Sequence, residues 1–428
     1  MPVARDLLPL AASNPKRYPC LLESVSGGSK TARYDILFAF PQETIELRPD
    51  SKETFLDKLD DAWRIESSDE RSELPFHGGW FVFLTYELAG EIEPSLQLRR
   101  DHEMPVAVAV RCPAAIIVDR RAQTTTLIAE NEHADLLDQL RHDIDAPASD
   151  DAFVIESIEE DEPATFLDGV GRIHDYLRDG DTFQVNLSRE WRARCARGTT
   201  PAALYARLRK SNPSPFAALL QWNEWAVVSS SPERLVDVRN GVAQTRPIAG
   251  TRPRMSDDDS ERIRELVANA KERAEHVMLI DLERNDLGRV CEAGTVRVDE
   301  LMTVESYAHV HHIVSNVGGK LRADVTPGDV IRAVFPGGTI TGCPKVRCME
   351  IIAELEDAPR GAYTGAIGYL DRNGDMDLNI LIRTLTLTGR NVCFRAGAGI
   401  VADSDAMSEL DETRAKARGL LRALGALS

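Results

Sequence analysis

The chain has 428 residues, 43% of them hydrophobic and 28% charged, with 51 Lys and Arg against 69 Asp and Glu, a formal net charge of −18. That is the composition of a soluble globular protein, long enough for two average domains or one large intertwined unit. It argues against non-specific nucleic-acid binding, and the apolar runs are too short to span a membrane. The seven cysteines (20, 112, 195, 291, 343, 348, 393) are scattered, odd in number and free of metal-ligand spacing, as expected of reduced thiols in a cytoplasmic protein. The N-terminus, Met-Pro-Val-Ala-Arg-Asp, carries no signal-peptide pattern.

Residues 1–141 read as a β-rich first region. Tyr34 to Phe40 and Gly79 to Tyr86 are strand-like, and Ala114 to Asp119 with Thr124 to Ala129 predict a hairpin. Residues 142–164 are acidic and poor in large apolar groups, the composition of an exposed connector. From residue 165 to 428 the signals sharpen. Phe166, Val170, Ile173 and Leu177 follow helical spacing up to Gly180. Thr182 to Arg192 alternates as a strand, with Phe183, Val185 and Leu187 on one face and Gln184, Asn186 and Ser188 on the other. Pro201 to Leu208 predicts a helix, Trp225 to Ser229 and Leu235 to Val238 strands, and Asn240-Gly241 a hairpin turn. A long helix is expected from Asp257 to Leu282 with Ser256 as its cap, another beginning near Pro344, and a last one from Asp405 to Leu424. Strands are expected at Gly365 to Asp371 and Leu378 to Leu387, ahead of Gly397-Ala398-Gly399. Strands and helices mix without a βαβ repeat, which predicts an α+β fold.

Two glutamate doublets, Glu272/Glu275 and Glu409/Glu412, stand on predicted helices, each at i, i+3 spacing that puts both carboxylates on one face. Four converging carboxylates repel one another unless a cation lies between them, and hard oxygen ligands suit Mg²⁺. Taken singly, such doublets are ordinary solvated faces. Lys416 extends the second stripe; as a surface salt bridge it contributes little. Glu233, in Ser-Ser-Pro-Glu after an apolar strand, is placed for a raised pKa and general-acid work, or is a turn residue in water. Arg383, in an apolar stretch, can grip a carboxylate through two hydrogen bonds or serve a buried ion pair. His312 alternates with His311, so one of the two faces a cavity; as an imidazole it is a poor Mg²⁺ ligand. Gly337 to Lys345 lacks the Gly-Lys-Ser/Thr of a phosphate loop, which removes nucleotide binding, although a glycine loop entering a helix still cradles a carboxylate. Gly397 to Gly399 offers backbone N–H groups of the same kind, or a tight bend.

Together, Gln184-Val-Asn-Leu, Ser231-Pro-Glu-Arg, Arg246-Pro-Ile-Ala-Gly-Thr-Arg-Pro, Glu272-Arg-Ala-Glu-His, Asp281-Leu-Glu-Arg-Asn-Asp, Gly338-Thr-Ile-Thr-Gly-Cys-Pro-Lys, Ile382-Arg-Thr and Glu409-Leu-Asp-Glu-Thr resemble the chorismate-binding enzyme family. The motifs cover residues 165 to 425 in family order, and Leu21-Leu-Glu-Ser and Gly78-Gly-Trp resemble its ammonia-using members. The resemblance implies a sandwich of large antiparallel sheets with helices outside, and Mg²⁺ as cofactor. It implies Glu275 and Glu412 as main metal ligands, helped by Glu272 and Glu409, with Lys416, Gly397, Ala398 and Gly399 positioning the ring carboxylate of chorismate. Arg383 and Tyr363 are implied on the enolpyruvyl side, Glu233 as the acid for the departing C4 hydroxyl, and His312 near the ring. Thr341 counts among the substrate contacts, and Ala249 and Thr251 among the catalytic positions. Leu22, Glu23 and Ser24 are candidates for a tryptophan pocket.

Gln184 stands where water-adding members carry a lysine base. Glutamine takes no proton, whereas ammonia is already a nucleophile, so the expected transferase uses ammonia. The chain shows no Gly-x-Cys-x-Gly glutaminase elbow, and a separate glutaminase subunit is the expected partner. Several motifs resemble the branch that aminates C4 to give 4-amino-4-deoxychorismate for 4-aminobenzoate and folate synthesis. Ala249 departs from that branch's lysine and matches the C2-aminating branch, which releases pyruvate. A catalytically silent amino-acid-binding subunit is the reading from another class.

Overall fold

Long runs of alternating and fully apolar residues pair into two antiparallel sheets. The computed structural model describes residues 3–25, 33–145, 153–253, 259, 264–265, 268–306 and 310–427. The first sheet, 11-stranded, runs in space Gly342–Cys343, Gln184–Cys195, Asn391–Ile400, Thr384–Thr388, Trp225–Ser231, Phe216–Trp222, Cys20–Glu23, Tyr34–Ala39, Ala114–Asp119, Thr124–Ala129, with Ile155–Glu160 also on Gln184–Cys195. The second, 10-stranded, runs Ile248–Pro253, Val310–Lys320, Val242–Thr245, Arg234–Arg239, Met376–Ile380, Ala366–Asp371, Gly79–Leu84, Ala107–Cys112, Thr44–Leu47, with Arg297–Ser306 also on Val310–Lys320. The class is α+β, as expected.

The sheets pack through an aromatic layer of Phe38, Phe81, Phe83, Trp225 and Tyr369, drawn from both of them, with Phe76 from the segment before Gly79–Leu84. The outer face of the first sheet is covered by helices Leu8–Ser13, Pro201–Ser211 and Ala406–Leu424 through Leu10, Leu204, Tyr205, Leu208, Leu420 and Leu424. That of the second is covered by Phe55–Glu66, Ala270–Gly288 and Pro327–Val334 through Leu56, Leu59, Ile280, Leu287 and Ile331. Helices Pro163–Asp179 and Lys345–Leu355 close one end over Val185, Leu187 and Ala398. Full burial of such side chains contributes about 1.5–3 kcal/mol each, and these contacts hold the named helices to the sheets.

Residues 1–141 are not a separate unit. Cys20–Glu23 pairs with Phe216–Trp222, and Gly79–Leu84 with Ala366–Asp371, so strands of the first region lie inside both sheets. The stretch expected as an exposed connector, 142–164, contains strand Ile155–Glu160 and the start of helix Pro163–Asp179. Its acidic character, which read as a linker, is matched by arginines: Glu156 lies 2.5 Å from Arg390, and Glu160 2.5 Å from Arg189 and 2.9 Å from Arg414. The long helix is described from Ala270 and runs to Gly288, six residues past its expected end; the proposed cap Ser256 is outside the described residues. The expected hairpins form, and Asn240 and Gly241 both take positive φ (52° and 74°), as a two-residue hairpin turn demands.

Two crossings between the sheets place the chemistry. Trp225–Ser231 of the first sheet passes through Pro232-Glu233 into Arg234–Arg239 of the second, and Met376–Ile380 of the second returns through residues 381–383 to Thr384–Thr388 of the first. The crossings brace each other: Ser230 N–H donates to the Arg383 carbonyl (3.1 Å), Ile380 N–H to the Glu233 carbonyl (3.0 Å), and the Ser231 hydroxyl to the Ile380 carbonyl (2.5 Å). Arg383 therefore sits in a break between strands, at φ 52°, rather than within one continuous strand. A non-glycine residue held there is a strained position of the kind found at functional sites.

Candidate active site

A cavity of about 770 Å³ opens at these crossings. Its walls carry Gln184, Glu233, Ala249, Glu272, Glu275, His312, Tyr363, Arg383, Gly397, Gly399, Glu409, Glu412 and Lys416, so most of the sequence candidates share one space. Helix Ala270–Gly288 brings the first glutamate doublet. His276, beside Glu275, is fully buried, with Nε2 2.6 Å from the Ser315 hydroxyl, which itself accepts the Met302 N–H. That contact fixes the rotation of the helix and leaves Glu272 and Glu275 toward the cavity. Helix Ala406–Leu424 brings the second doublet; Asp405 caps it by accepting the Ser408 N–H at 2.9 Å. Lys416 Nζ lies 2.7 Å from Glu412 Oε1 and donates to the Gly397 carbonyl at 2.9 Å.

The donor chemistry of the four carboxylates fits Mg²⁺. Among the described residues no three acidic, imidazole or thiol groups stand close enough to enclose an ion by themselves. Protein ligands would thus fill part of an octahedral shell and leave the rest to water or substrate oxygens, the usual arrangement for this ion. Glu275, Glu412, Glu272 and Glu409 are the residues that could hold it.

Glu233 is 7% exposed, and its Oε1 accepts from the Thr339 hydroxyl at 2.8 Å. Burial pushes its pKa up to about 7, against the smaller opposing effects of the Thr339 hydrogen bond and the Lys416 charge. A carboxyl that is part protonated near neutrality is suited to donating a proton. Behind it, on the same helix as Glu275, Glu283 is buried and pushed up to about 8, first by burial and then by Asp286, whose carboxylate pairs with Lys345 at 2.5 Å.

His312 points into the cavity while His311, on the other side of the strand, lies 3.0 Å from Asp259. Its Nδ1 is 3.3 Å from the Gly250 carbonyl. A carbonyl only accepts, so Nδ1 carries the proton and Nε2 is the acceptor of a neutral ring. Burial, with the Arg383 charge second, pushes the ring down to about 4. Burial likewise lowers the Arg383 guanidinium. No described carboxylate lies within ion-pair distance of Arg383, and no described group hydrogen-bonds its side chain. A desolvated guanidinium without an acid is costly and is matched to an anionic ligand.

Two of the expected cavity residues stand elsewhere. Thr341 is fully buried outside the cavity wall: its hydroxyl donates to the Gly337 carbonyl at 2.9 Å and its carbonyl accepts the Asn186 N–H at 2.9 Å, so it braces the loop. The hydroxyl at the cavity is Thr339, two residues earlier. Ala398 is also fully buried; it alternates away from Gly397 and Gly399 within strand Asn391–Ile400, which contains no bend. The Thr251 backbone pairs with His312, and its side chain is outside the described residues. Leu22, Glu23 and Ser24 line a second cavity of about 350 Å³ with Arg33, Arg234 and Arg239. There Glu23 accepts from Tyr205 at 2.6 Å and from Arg209 at 3.3 Å, and burial with Asp35 beside it pushes it up to about 6.

Asn186, Thr339 and Arg395 also line the main cavity and were not singled out from sequence. The signal for Asn186 was its place two residues after Gln184 on the same strand face, and for Arg395 its place two residues before Gly397. Arg395 pairs with buried Glu356 at 3.2 Å, and Glu356 pairs with Arg360 at 2.7 Å.

A family model described as chorismate binding enzyme matches residues 19–422. Aminodeoxychorismate synthase component 1 of Bacillus subtilis is 39% identical over 441 residues, covering 96% of this chain and 92% of that protein. Anthranilate synthase component 1 of Synechocystis is 38% identical over 466 residues, covering 96% and 91%. The crystal structure of anthranilate synthase component I from Streptococcus pneumoniae superposes with a TM-score of 0.82 at 34% identity, covering 91% of this chain and 92% of that one. The menaquinone-specific isochorismate synthase of Escherichia coli shares the fold, with a TM-score of 0.77 at 19% identity. With the acid, the guanidinium and two carboxylate pairs around one cavity, and a family match over nearly its whole length, the chain belongs to the chorismate-binding enzyme family.

Proposed function

We propose that this protein is an aminodeoxychorismate synthase component I, which joins ammonia to C4 of chorismate and gives 4-amino-4-deoxychorismate. The observation that carries amination is the pairing of a buried acid with a glutamine: Glu233 lies in the cavity with its pKa near 7, and Gln184 lines the same wall. Among the described residues of the cavity the lysine is Lys416, already engaged by Glu412 and the Gly397 carbonyl. A glutamine activates no water, whereas ammonia needs no base.

In the reaction the C4–N bond forms as the C4–O bond breaks. Glu233 delivers its proton to the leaving oxygen so that water departs, and the nitrogen now bonded to C4 stays on the product as an ammonium group. Arg383, with Tyr363 beside it, holds a carboxylate of the enolpyruvyl side. Lys416 and the Gly397–Gly399 strand orient the ring carboxylate. Glu275 and Glu412 would hold a Mg²⁺, which when bound would supply positive charge against that carboxylate and ease departure from the allylic ring. A glutaminase subunit is the proposed ammonia source, the cytoplasm the proposed compartment, and the cavity at Leu22–Ser24 a proposed tryptophan pocket.

The C4 assignment rests on Gln184-Val-Asn-Leu, Leu282-Glu-Arg-Asn-Asp-Leu-Gly-Arg-Val-Cys, Val304-Glu-Ser-Tyr and Gly337-Gly-Thr-Ile-Thr-Gly, the motifs that resemble the C4-aminating branch. Ala249 favours the second reading, an anthranilate synthase component I, because it puts a methyl group in the cavity where a lysine would have formed a covalent adduct. Pure protein incubated with chorismate, Mg²⁺ and ammonium decides between them. A product that becomes 4-aminobenzoate only after a lyase is added supports C4 amination. Fluorescent anthranilate with pyruvate in the first step overturns it, and absence of any turnover supports a silent binding subunit.

A further inference from the structure

We infer that Asn186 completes a subsite for the nitrogen nucleophile, in which two amide oxygens on one strand face receive the N–H groups of ammonia or ammonium. This rests on the reading that the enzyme uses ammonia. Gln184 and Asn186 are 4% and 7% exposed, and both line the main cavity. Gln184 Oε1 and Asn186 Oδ1 are buried, and neither has a hydrogen-bond partner among the described residues. Buried polar atoms are almost always paired, so two orphaned acceptors in one pocket mark a place where a donor binds.

The backbone around them is already committed. The Asn186 N–H donates to the Thr341 carbonyl (2.9 Å), and the Asn186 carbonyl accepts from Arg360 Nη2 (2.7 Å). The Gln184 carbonyl accepts from the Cys348 thiol and the Thr182 hydroxyl at 3.0 and 3.1 Å. The strand is therefore rigid, and only the side-chain oxygens are left to a ligand. Alternation along the strand puts both side chains on one face, roughly 7 Å apart at their Cα atoms, a span from which flexible amides converge on one small molecule.

The facing strand makes room for them. A Cβ at Gly399 would stand 2.4 Å from Gln184 Nε2, and one at Gly397 would stand 2.7 Å from Asn186 Oδ1 and from the Tyr363 hydroxyl. Glycine at both positions leaves the amides the space they occupy. Ammonia can give one N–H to each oxygen and keep its lone pair free to attack. Water can also supply two donors, but neither amide removes a proton from it, so water held there is not activated.

The test measures steady-state KM for ammonium chloride and for chorismate on the intact chain without any glutaminase, for wild type, Asn186→Ala and Asn186→Asp. The expected result is an ammonium KM about tenfold higher in Asn186→Ala, the equivalent of one lost hydrogen bond, with the chorismate KM within twofold. Asn186→Asp keeps acceptor oxygens and should retain ammonium affinity within about threefold of wild type. An unchanged ammonium KM in Asn186→Ala, or an equal rise in both KM values, overturns the subsite. Because chorismate affinity is read in the same variant, misfolding is distinguished from loss of the subsite. Wild type that turns over chorismate without ammonium dependence refutes the ammonia reading itself.

Discussion

Removing the hydroxyl of Thr339 should extend the activity of this enzyme toward alkaline pH. Thr339 donates to Glu233 at 2.8 Å, and that bond holds the acid's pKa below what burial alone would give. The sign follows from which form gains: the ionised carboxylate accepts the bond better, so the bond lowers the pKa and its loss raises it. A hydrogen bond to a charged group contributes about 1.5–3 kcal/mol, and 1.36 kcal/mol is one pKa unit. With partial compensation by water, Thr339→Val should raise Glu233 by roughly one unit from its value near 7. A general acid works only while protonated, so the alkaline limb of kcat/KM for chorismate moves up by about one unit. Thr339→Ser keeps the donor and should leave the limb in place. The assay is the rate of ammonium-dependent chorismate consumption across pH 6 to 9, at ammonium levels adjusted to constant free ammonia. A limb that stays put, or moves to lower pH, refutes the assignment of Glu233 as the acid.

Arg383→Met should raise the chorismate KM about 100-fold, the cost of losing a desolvated charge pair with the substrate. The same change should raise the stability of the unliganded protein by about 1 kcal/mol, because it removes a buried guanidinium without a carboxylate; calorimetric melting checks the second effect. Glu356→Gln should destabilise the fold by about 3–5 kcal/mol by leaving Arg360 and Arg395 buried without their anion. Burial alone would raise Glu356, but Arg360 and Arg395 outweigh it and lower its pKa. That stability is therefore present above the ordinary carboxylate pKa and lost as pH falls through the depressed folded value, which acid-denaturation curves of the variant and wild type will read. Glu275→Ala should abolish Mg²⁺-stimulated turnover while the melting temperature of the metal-free protein stays close to wild type.

Local patterns predicted the elements well where packing agreed with propensity. The stripe of Phe166, Val170 and Ile173, the Asn240-Gly241 turn and the start of the last helix near Asp405 are each decided within a few residues, and each forms. What local reading misses is decided across the sheets. The acidic run at Glu156–Glu160 reads as a linker until Arg189, Arg390 and Arg414, far away in sequence, are placed beside it. Arg383 reads as part of a strand because nothing local says that the chain changes sheets there. The glutamate doublets were legible as faces, and only the fold could bring the two helices to one cavity. Thr341 is the expected contact and Thr339 the one at the cavity, because which hydroxyl of the glycine loop turns outward depends on a brace to Asn186 more than 150 residues earlier. Asn186 was read as the neighbour of Gln184 and nothing more, since an unsatisfied oxygen is a property of the folded pocket alone.

The most direct test follows isotopically labelled nitrogen from ammonium into product, with chorismate and Mg²⁺, for wild type and for Glu233→Gln. The account predicts one labelled nitrogen incorporated for each chorismate consumed by wild type, and a loss of several hundred-fold or more in Glu233→Gln, in line with removal of a general acid. Chorismate consumed without nitrogen entering the product, or incorporation by Glu233→Gln at the wild-type rate, would contradict it.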